Sequence, residues 1–390
     1  MILKQLVERY KFRPVINRYF CENAIAYILQ RIDNNLDLFR DKFPAPASRN
    51  HIYPAVENVE WTSSFWTGML WLAYEVSGSS KYRETAEGQL ESYRRRVAGK
   101  IAVDTHDLGF LYTLSCVAAY KLTGNETAKE VALQAAGLLA ARYFDKAGII
   151  QAWGDLDDPN QRGRMIIDCC MNLPLLYWAA GITGNHRYYE IAYQHARQAA
   201  LYLVREDGST YHTFYMDVTT GEPRFGKTCQ GYADGSCWAR GQAWGIYGFA
   251  LSYLYTGAPD FLNVCKKITN YFLNRLPEDQ ICYWDLIFTE GGEERDSSAA
   301  AIAACGLLEI SKHLPLSDEA KPVYENAALL IIRSLAENYT AFGLENSNGI
   351  LRHAVYNKPR DEGVDECNIW GDYFYFEALV RLVKDWKLYW

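Results

Sequence analysis

The chain has 390 residues, 49% of them hydrophobic, and a formal net charge of −7. A chain of this size can bury a large core, and its acidic balance excludes the basic face that nucleic acid or an anionic membrane requires. Aromatic residues make up 14% of it, with 29 Tyr and 11 Trp; so many polar-edged rings suit a sugar-binding cleft, where faces pack on pyranose C–H groups and edges bond to hydroxyls.

Residues 1–49 read as an N-terminal helical segment that ends in the polar break "PAPASRN" and packs on the remainder. After it one plan recurs: an apolar, aromatic-rich segment, a Gly/Ser/Asn turn, then an amphipathic segment. Copies begin at Phe65, Leu108, Leu173, Gly241 and Ser297, and a half copy, "GDYFYFEALVRLVKDW", begins at Gly371. The turns "SGSSKY", "TGNETA", "TGNHRY" and "TGAPDF" place Gly after one helix and, in most copies, a capping side chain before the next. The second segments carry apolar residues at helical spacing, as in Ala128, Val131, Ala132 and Ala135. The first segments are apolar nearly all round and must be buried on both sides. Alternation of the two kinds calls for an inner and an outer layer. The expected fold is an all-α (α/α)₆ barrel, one domain over residues 1–390, with an open α-solenoid as the structural alternative.

The connectors before the inner segments are long and hold most of the Trp, His and Asp/Arg pairs, so a site is expected where they gather. The inner segments open on His106 and Asp107, on Asp168, on Trp238, Arg240 and Trp244, on Asp296, and on Asp372. Asp is a preferred N-cap, and that role or a structural pairing is expected of Asp296 and Asp372. Asp168 differs, because "MIIDCCM" surrounds it with apolar residues; desolvation should raise its pKa and keep it protonated. Two inward carboxylates beside aromatic walls suit glycosidic-bond chemistry. Arg240 suits a uronic acid better than a neutral sugar, or else pairs with a barrel Asp. His212 can bond substrate or simply pack. No metal-binding spacing occurs, and no cofactor or metal is expected. Ten scattered Cys without a CxxC pair read as reduced thiols. No signal-peptide core or membrane span is evident. The expected compartment is the cytoplasm, and the expected state a monomer or weak dimer.

The segments "WTSSFWTGMLWLAYE", "HDLGFLY", "GIIQAWG", "RMIIDCCMNLPLL", "YHTFY", "QGYADGSCWARGQAWGIYGFAL", "RDSSAAAIAACGLLEI" and "IWGDYFYFEALVRL" closely resemble the bacterial unsaturated glucuronyl hydrolases, the unsaturated chondroitin disaccharide hydrolases among them. The resemblance runs in order from about Trp61 to Leu382. It implies an (α/α)₆ barrel acting on lyase products that carry a Δ4,5-unsaturated uronic acid at the non-reducing end. It implies that an Asp protonates C4 of the vinyl ether and helps water add at C5, after which the hemiketal opens. Asp168 matches that acid/base and Asp107 the assisting Asp. Arg240 and Gln230 would contact the uronate, with His212 and His106 bonding to the sugar. Trp61, Trp153, Trp238 and Trp244 would form the walls, with Tyr356 facing the substrate. Family members that prefer sulfated disaccharides carry Ser-x-x-Ser-x-Lys before "IWGDY". Here Asn357, Arg360 and Glu362 take those places beside Lys358, a possible aglycone or sulfate region in which Glu362 would repel sulfate.

Three other readings remain open at this point. An unsaturated rhamnogalacturonyl hydrolase would use the same chemistry on pectin fragments. An inverting glycosidase would hold its two carboxyl groups roughly 6.5–9.5 Å apart. A non-catalytic sugar-binding toroid would lose little on Asp168→Asn.

Overall fold

The computed structural model describes residues 2–390. Helix α1 (Ile2–Arg9) precedes α2 (Arg18–Asn35). Hairpins follow: α3 (Ser63–Ser77) with α4 (Ser80–Ala98), and α5 (Leu108–Tyr112) continuing through a π-turn into α6 (Ala118–Thr123), paired with α7 (Glu126–Ala140). Next come α8 (Pro174–Thr183) with α9 (His186–Gln198), α10 (Ala239–Thr256) with α11 (Pro259–Asn274), α12 (Ser297–His313) with α13 (Ala320–Asn338), and α14 (Ile369–Val383).

The hairpin turns form for the reason the sequence suggested. Gly124 and Gly184 both sit at φ 70°, a left-handed conformation open to Gly at little cost, and each ends an inner helix. Asn125 and Asn185 then cap the outer helix by accepting from the Ala128 and Arg187 N–H groups. The inner helices are buried along their length: Ser63–Ala73 of α3 and Ala239–Ser252 of α10 are buried without a break.

The inner helices form a closed ring. Helix α3 packs on α5, α5 on α8, α8 on α10, α10 on α12, α12 on α14, and α14 returns to α3. The open solenoid is thereby excluded, since its first and last repeats would not touch. Helix α2 packs on both α14 and α3, so it is a stave of the wall, the outer partner of α14. Of the N-terminal segment only α1 is an addition, and it lies in the groove between α11 and α13. Arg9 there donates to the carbonyls of Leu273, Leu276 and Pro277, which the end of α11 leaves unsatisfied.

The connectors are not plain loops. They form small antiparallel sheets: β1 (Phe43–Pro44) with β2 (Ala55–Val56), β3 (Tyr143–Phe144) with β4 (Ile149–Ile150), β5 (Arg164–Ile166) with β6 (Thr213–Met216) and β7 (Pro223–Lys227), and β8 (Ala354–Asn357) with β9 (Glu362–Glu366). Strands this short carry too little alternation to be read from sequence. At the far end of the ring a buried charge cluster closes the barrel. Arg381 meets Glu309 at 2.7 Å and Glu377 at 3.0 Å, and Tyr247 and Trp390 donate to Glu377 at 2.6 and 2.8 Å. The Trp390 ring stacks on Phe374, 5.8 Å between centroids. Among the described residues no helix is long and apolar enough to cross a membrane.

Candidate active site

Two inner-helix entrances are held against each other by one glycine and one asparagine. A Cβ on Gly109 would lie 2.3 Å from the Asn172 Cα, so only glycine allows this approach. Asn172 then stitches the two segments, its Oδ1 accepting from Phe110 N–H at 2.7 Å and its Nδ2 donating to the Asp168 carbonyl at 3.2 Å. Asp107 precedes α5, and Asp168 lies in the 3₁₀ turn Ile167–Met171 that leads into α8. Neither carboxylate caps its helix. Asp107 accepts from the Thr105 hydroxyl at 2.7 Å, and Asp168 Oδ1 has no partner besides His106. Both are thus free for chemistry. Asp296 does cap, accepting from the Ser298 and Ala299 N–H groups, and Asp372 accepts from Ile350 N–H, Leu351 N–H and the Tyr53 hydroxyl.

His106 lies between the two carboxylates. Its Nε2 is 3.2 Å from Asp168 Oδ1 and 3.5 Å from Asp107 Oδ1, and the residue is completely buried. One atom from each of the three residues lies within 4.8 Å of the others. Burial alone would lower the His106 pKa, but Asp168 and then Asp107 outweigh it and raise it. Burial would also raise Asp168. His106 beside it, with the Arg240 guanidinium farther off, outweighs that and holds Asp168 below the ordinary carboxylate range. Asp107 goes the other way, because burial and the Asp168 charge together exceed the pull of His106. The expectation that burial raises the Asp168 pKa is therefore corrected: His106 outweighs burial there and lowers it, and it is Asp107 whose pKa is raised. The chain neighbours of Asp168 are apolar, but its spatial neighbour is a histidine from another segment.

Above the pair lies a cavity of about 280 Å³. It brings together Asp107, Asp168, Gln230, Arg240, the four tryptophans Trp61, Trp153, Trp238 and Trp244, and Tyr356, with Asn357, Arg360 and Glu362 at its edge. Arg240 is 1% exposed, and its guanidinium donates to Gln230 Oε1 at 2.5 Å and to the Val355 and Tyr356 carbonyls, with Asp296 at 3.4 Å. It lies 4.5 Å from the Trp238 ring centroid and 4.9 Å from that of Trp370. Trp61 donates to the Tyr356 hydroxyl at 3.1 Å and packs on Trp370, 5.1 Å away.

Three predicted contact residues are not in the cavity lining. His106 is completely covered and touches the acids instead, so it is not a sugar contact. His212 sits against Trp238, 4.4 Å between ring centroids. Its Nδ1 accepts from Cys229 and Gln230 N–H groups at 3.0 and 3.3 Å, and burial pushes its pKa down to about 3. It is a neutral imidazole whose hydrogen is on Nε2. Lys358 turns away to an ion pair with Glu294, which removes it as a sulfate contact. The sequence reading missed Cys229, the one exposed thiol, which lines the cavity. It also missed Arg164, whose guanidinium lies 4.0 Å from the Trp153 ring centroid; its place at the head of "RMIID" was the available signal. A second, more open cavity of about 870 Å³ adjoins the first and shares Tyr356, Arg360 and Glu362 with it.

Comparison with known proteins agrees with this geometry. The family model of Glycosyl Hydrolase Family 88 matches residues 37–361. The chain belongs to that family. As a family 88 member it is 47% identical over 384 residues to the unsaturated chondroitin disaccharide hydrolase of Streptococcus pneumoniae, covering 98% of this chain and 97% of that one. It superposes on the crystal structure of the unsaturated glucuronyl hydrolase of Streptococcus agalactiae with a TM-score of 0.96, at 47% identity over 98% of this chain and 96% of that one. An Asp-to-Asn mutant of that enzyme, complexed with dGlcA-GalNAc6S, matches with a TM-score of 0.88 at 44% identity, over 98% and 96% of the two chains. The (α/α)₆ barrel is thus the family 88 fold, and the chain is a glycoside hydrolase.

Proposed function

We propose that the chain releases the Δ4,5-unsaturated uronic acid from the non-reducing end of lyase-generated glycosaminoglycan oligosaccharides by hydrating the C4=C5 vinyl ether. One observation carries this reading: a carboxyl pair bridged by His106 forms the floor of a tryptophan-walled cavity that also holds a buried arginine. A uronate entering beside Arg240 and Gln230 adds negative charge to the pair. That charge raises both carboxyl pKa values, and the His106 proton then has a short path of 3.2 Å to Asp168. Asp168 gives this proton to C4. Water adds at C5 and returns a proton to Asp168. The hemiketal opens, and the aglycone sugar leaves. Asp107, on the other side of His106, accepts a hydrogen bond from the attacking water and orients it. His106 is a positioning residue in this scheme, acting through Asp168. The tryptophans hold the sugar ring, and His212 Nε2–H is a donor behind Trp238. We take residues 1–390 to act as one catalytic domain, because the ring that supports the site closes on itself.

The pectin-directed alternative gains no support from the relatives, which are named for chondroitin and glucuronyl substrates. A displacement at the anomeric carbon would also use two carboxyl groups, and one assay separates it from hydration. Lyase-generated unsaturated disaccharides are incubated with the enzyme while the ultraviolet absorbance of the conjugated C4=C5 bond is followed. Hydration removes the absorbance as the sugar is released. Sugar release with the absorbance intact would overturn the reading in favour of displacement at the anomeric carbon.

A further inference from the structure

The His106–Asp107–Asp168 cluster has a property that the acid–base role does not require. His106 Nδ1 is buried without a hydrogen-bond partner, and His106 Nε2 and Asp168 Oδ1 make no well-aligned hydrogen bond beyond their own 3.2 Å contact. Buried polar atoms are seldom left so. Nε2 of His106 points at two carboxylate oxygens, 3.2 and 3.5 Å away. A tetrahedral zinc ion bound at 2.0–2.2 Å spaces its ligand atoms by about 3.3–3.5 Å, so two of the three edges already fit. The third edge, between the carboxylates, is at most 4.8 Å and would shorten once a dication cancelled their repulsion. Both acids line the cavity, which leaves the fourth position open to water.

We propose that His106 Nε2 and one oxygen each of Asp107 and Asp168 form an exchangeable site for a zinc-class divalent cation, which inhibits the enzyme when it binds. One imidazole and two carboxylates suit Zn²⁺; Ca²⁺ and Mg²⁺ favour larger all-oxygen sets. A bound cation occupies Nε2 of His106 and an oxygen of each acid. The metal therefore removes the groups that the reaction uses, and it does not assist. Tight resident metals hold the second nitrogen of a ligating histidine in a hydrogen bond. His106 Nδ1 has no such bond, so the ion is expected to exchange. No other group of three such side chains comes together among the described residues, and no ligand spacing marks it along the chain because residues 106 and 168 come from different connectors.

The test measures binding directly, so it does not depend on the proposed reaction; its inhibition arm does. The chelator-treated full chain is titrated with ZnCl₂ and with MgCl₂ in a calorimeter. The expected result is one Zn²⁺ per chain and no Mg²⁺ heat. Zinc affinity should fall at least about tenfold in Asp168→Asn and in His106→Gln, with circular dichroism confirming that each variant folds. Turnover of an unsaturated disaccharide should be unchanged by chelator alone. Added zinc should stop it at the concentration seen by calorimetry, and chelator should restore it. Zinc binding that is absent, or equally tight in both variants, would overturn the proposal, as would binding that leaves turnover intact. If no disaccharide is turned over at all, the proposed function fails while the zinc titration still tests the site.

Discussion

The barrel contains two buried charge clusters, one at each end, built to opposite rules. At the closed end Arg381, Glu309, Glu377, Tyr247 and Trp390 satisfy one another, and His313 adds a contact to Glu309 at 3.1 Å. Burial would raise the Glu309 pKa, yet His313 and Arg381 hold it down to about 2. At the open end His106 Nδ1 has no partner, and Asp168 Oδ1 has only the His106 Nε2 contact at 3.2 Å. A saturated buried network fixes one structure. An unsaturated one is costly to keep and is retained where charge must move or a ligand must enter. The difference separates support from chemistry without reference to any relative.

Substitutions can test the contrast, beginning with the largest expected effect. Asp168→Asn should lower kcat by roughly 10³-fold or more, within the range for loss of an acid–base group, while Tm moves by only a few degrees. Absorbance kinetics and a thermal melt check both halves, and a collapse of Tm would place Asp168 with the structural cluster. Arg381→Ala should cost about 3–5 kcal/mol, because it removes the buried cation that Glu309 and Glu377 share. Urea unfolding measures this, and the specific activity of the folded fraction should not change.

A third substitution probes pH. His195 accepts from Ile150 N–H at 2.9 Å, and burial lowers its pKa to about 3. The unfolded chain binds this proton below about pH 6.5 and the folded chain does not. Its contribution is therefore complete above pH 6.5 and is lost as pH falls toward 3, at about 1.4 kcal/mol per pH unit. His195→Gln should flatten the acid slope of stability by that amount, seen in urea midpoints at pH 6, 5 and 4. The smallest effect is expected at the rim. Glu362→Gln should improve kcat/KM on a sulfated disaccharide by no more than about fivefold, as for an exposed charge, and should leave the unsulfated disaccharide unchanged.

Much of this was legible in the sequence. The apolar-all-round segments and their Gly-ended turns gave the two layers, and the acids at the segment entrances gave the site. Trp61, Trp153, Trp238, Trp244, Gln230 and Arg240 all reach the cavity. What could not be read was contact between distant segments. The ionisation of Asp168 depends on a histidine 62 positions earlier, and the turn of Lys358 toward Glu294 depends on another connector. The connector strands were too short to show a period.

Closure of the ring by α14 against α3, with α2 covering the seam, has a consequence for how the chain folds. The bonds that seal it join the two ends of the sequence: Arg31 to the Ser347 carbonyl across 316 positions, and Tyr53 to Asp372 across 319. During synthesis α2 and the inner face of α3 emerge early and wait for α14, which is made last. Until then apolar surface stands open along the seam. Contacts of such long range slow folding and leave intermediates that invite wrong pairing, including exchange of α2 between two chains. Folding yield should therefore fall with protein concentration more steeply than the stability of the finished barrel would suggest.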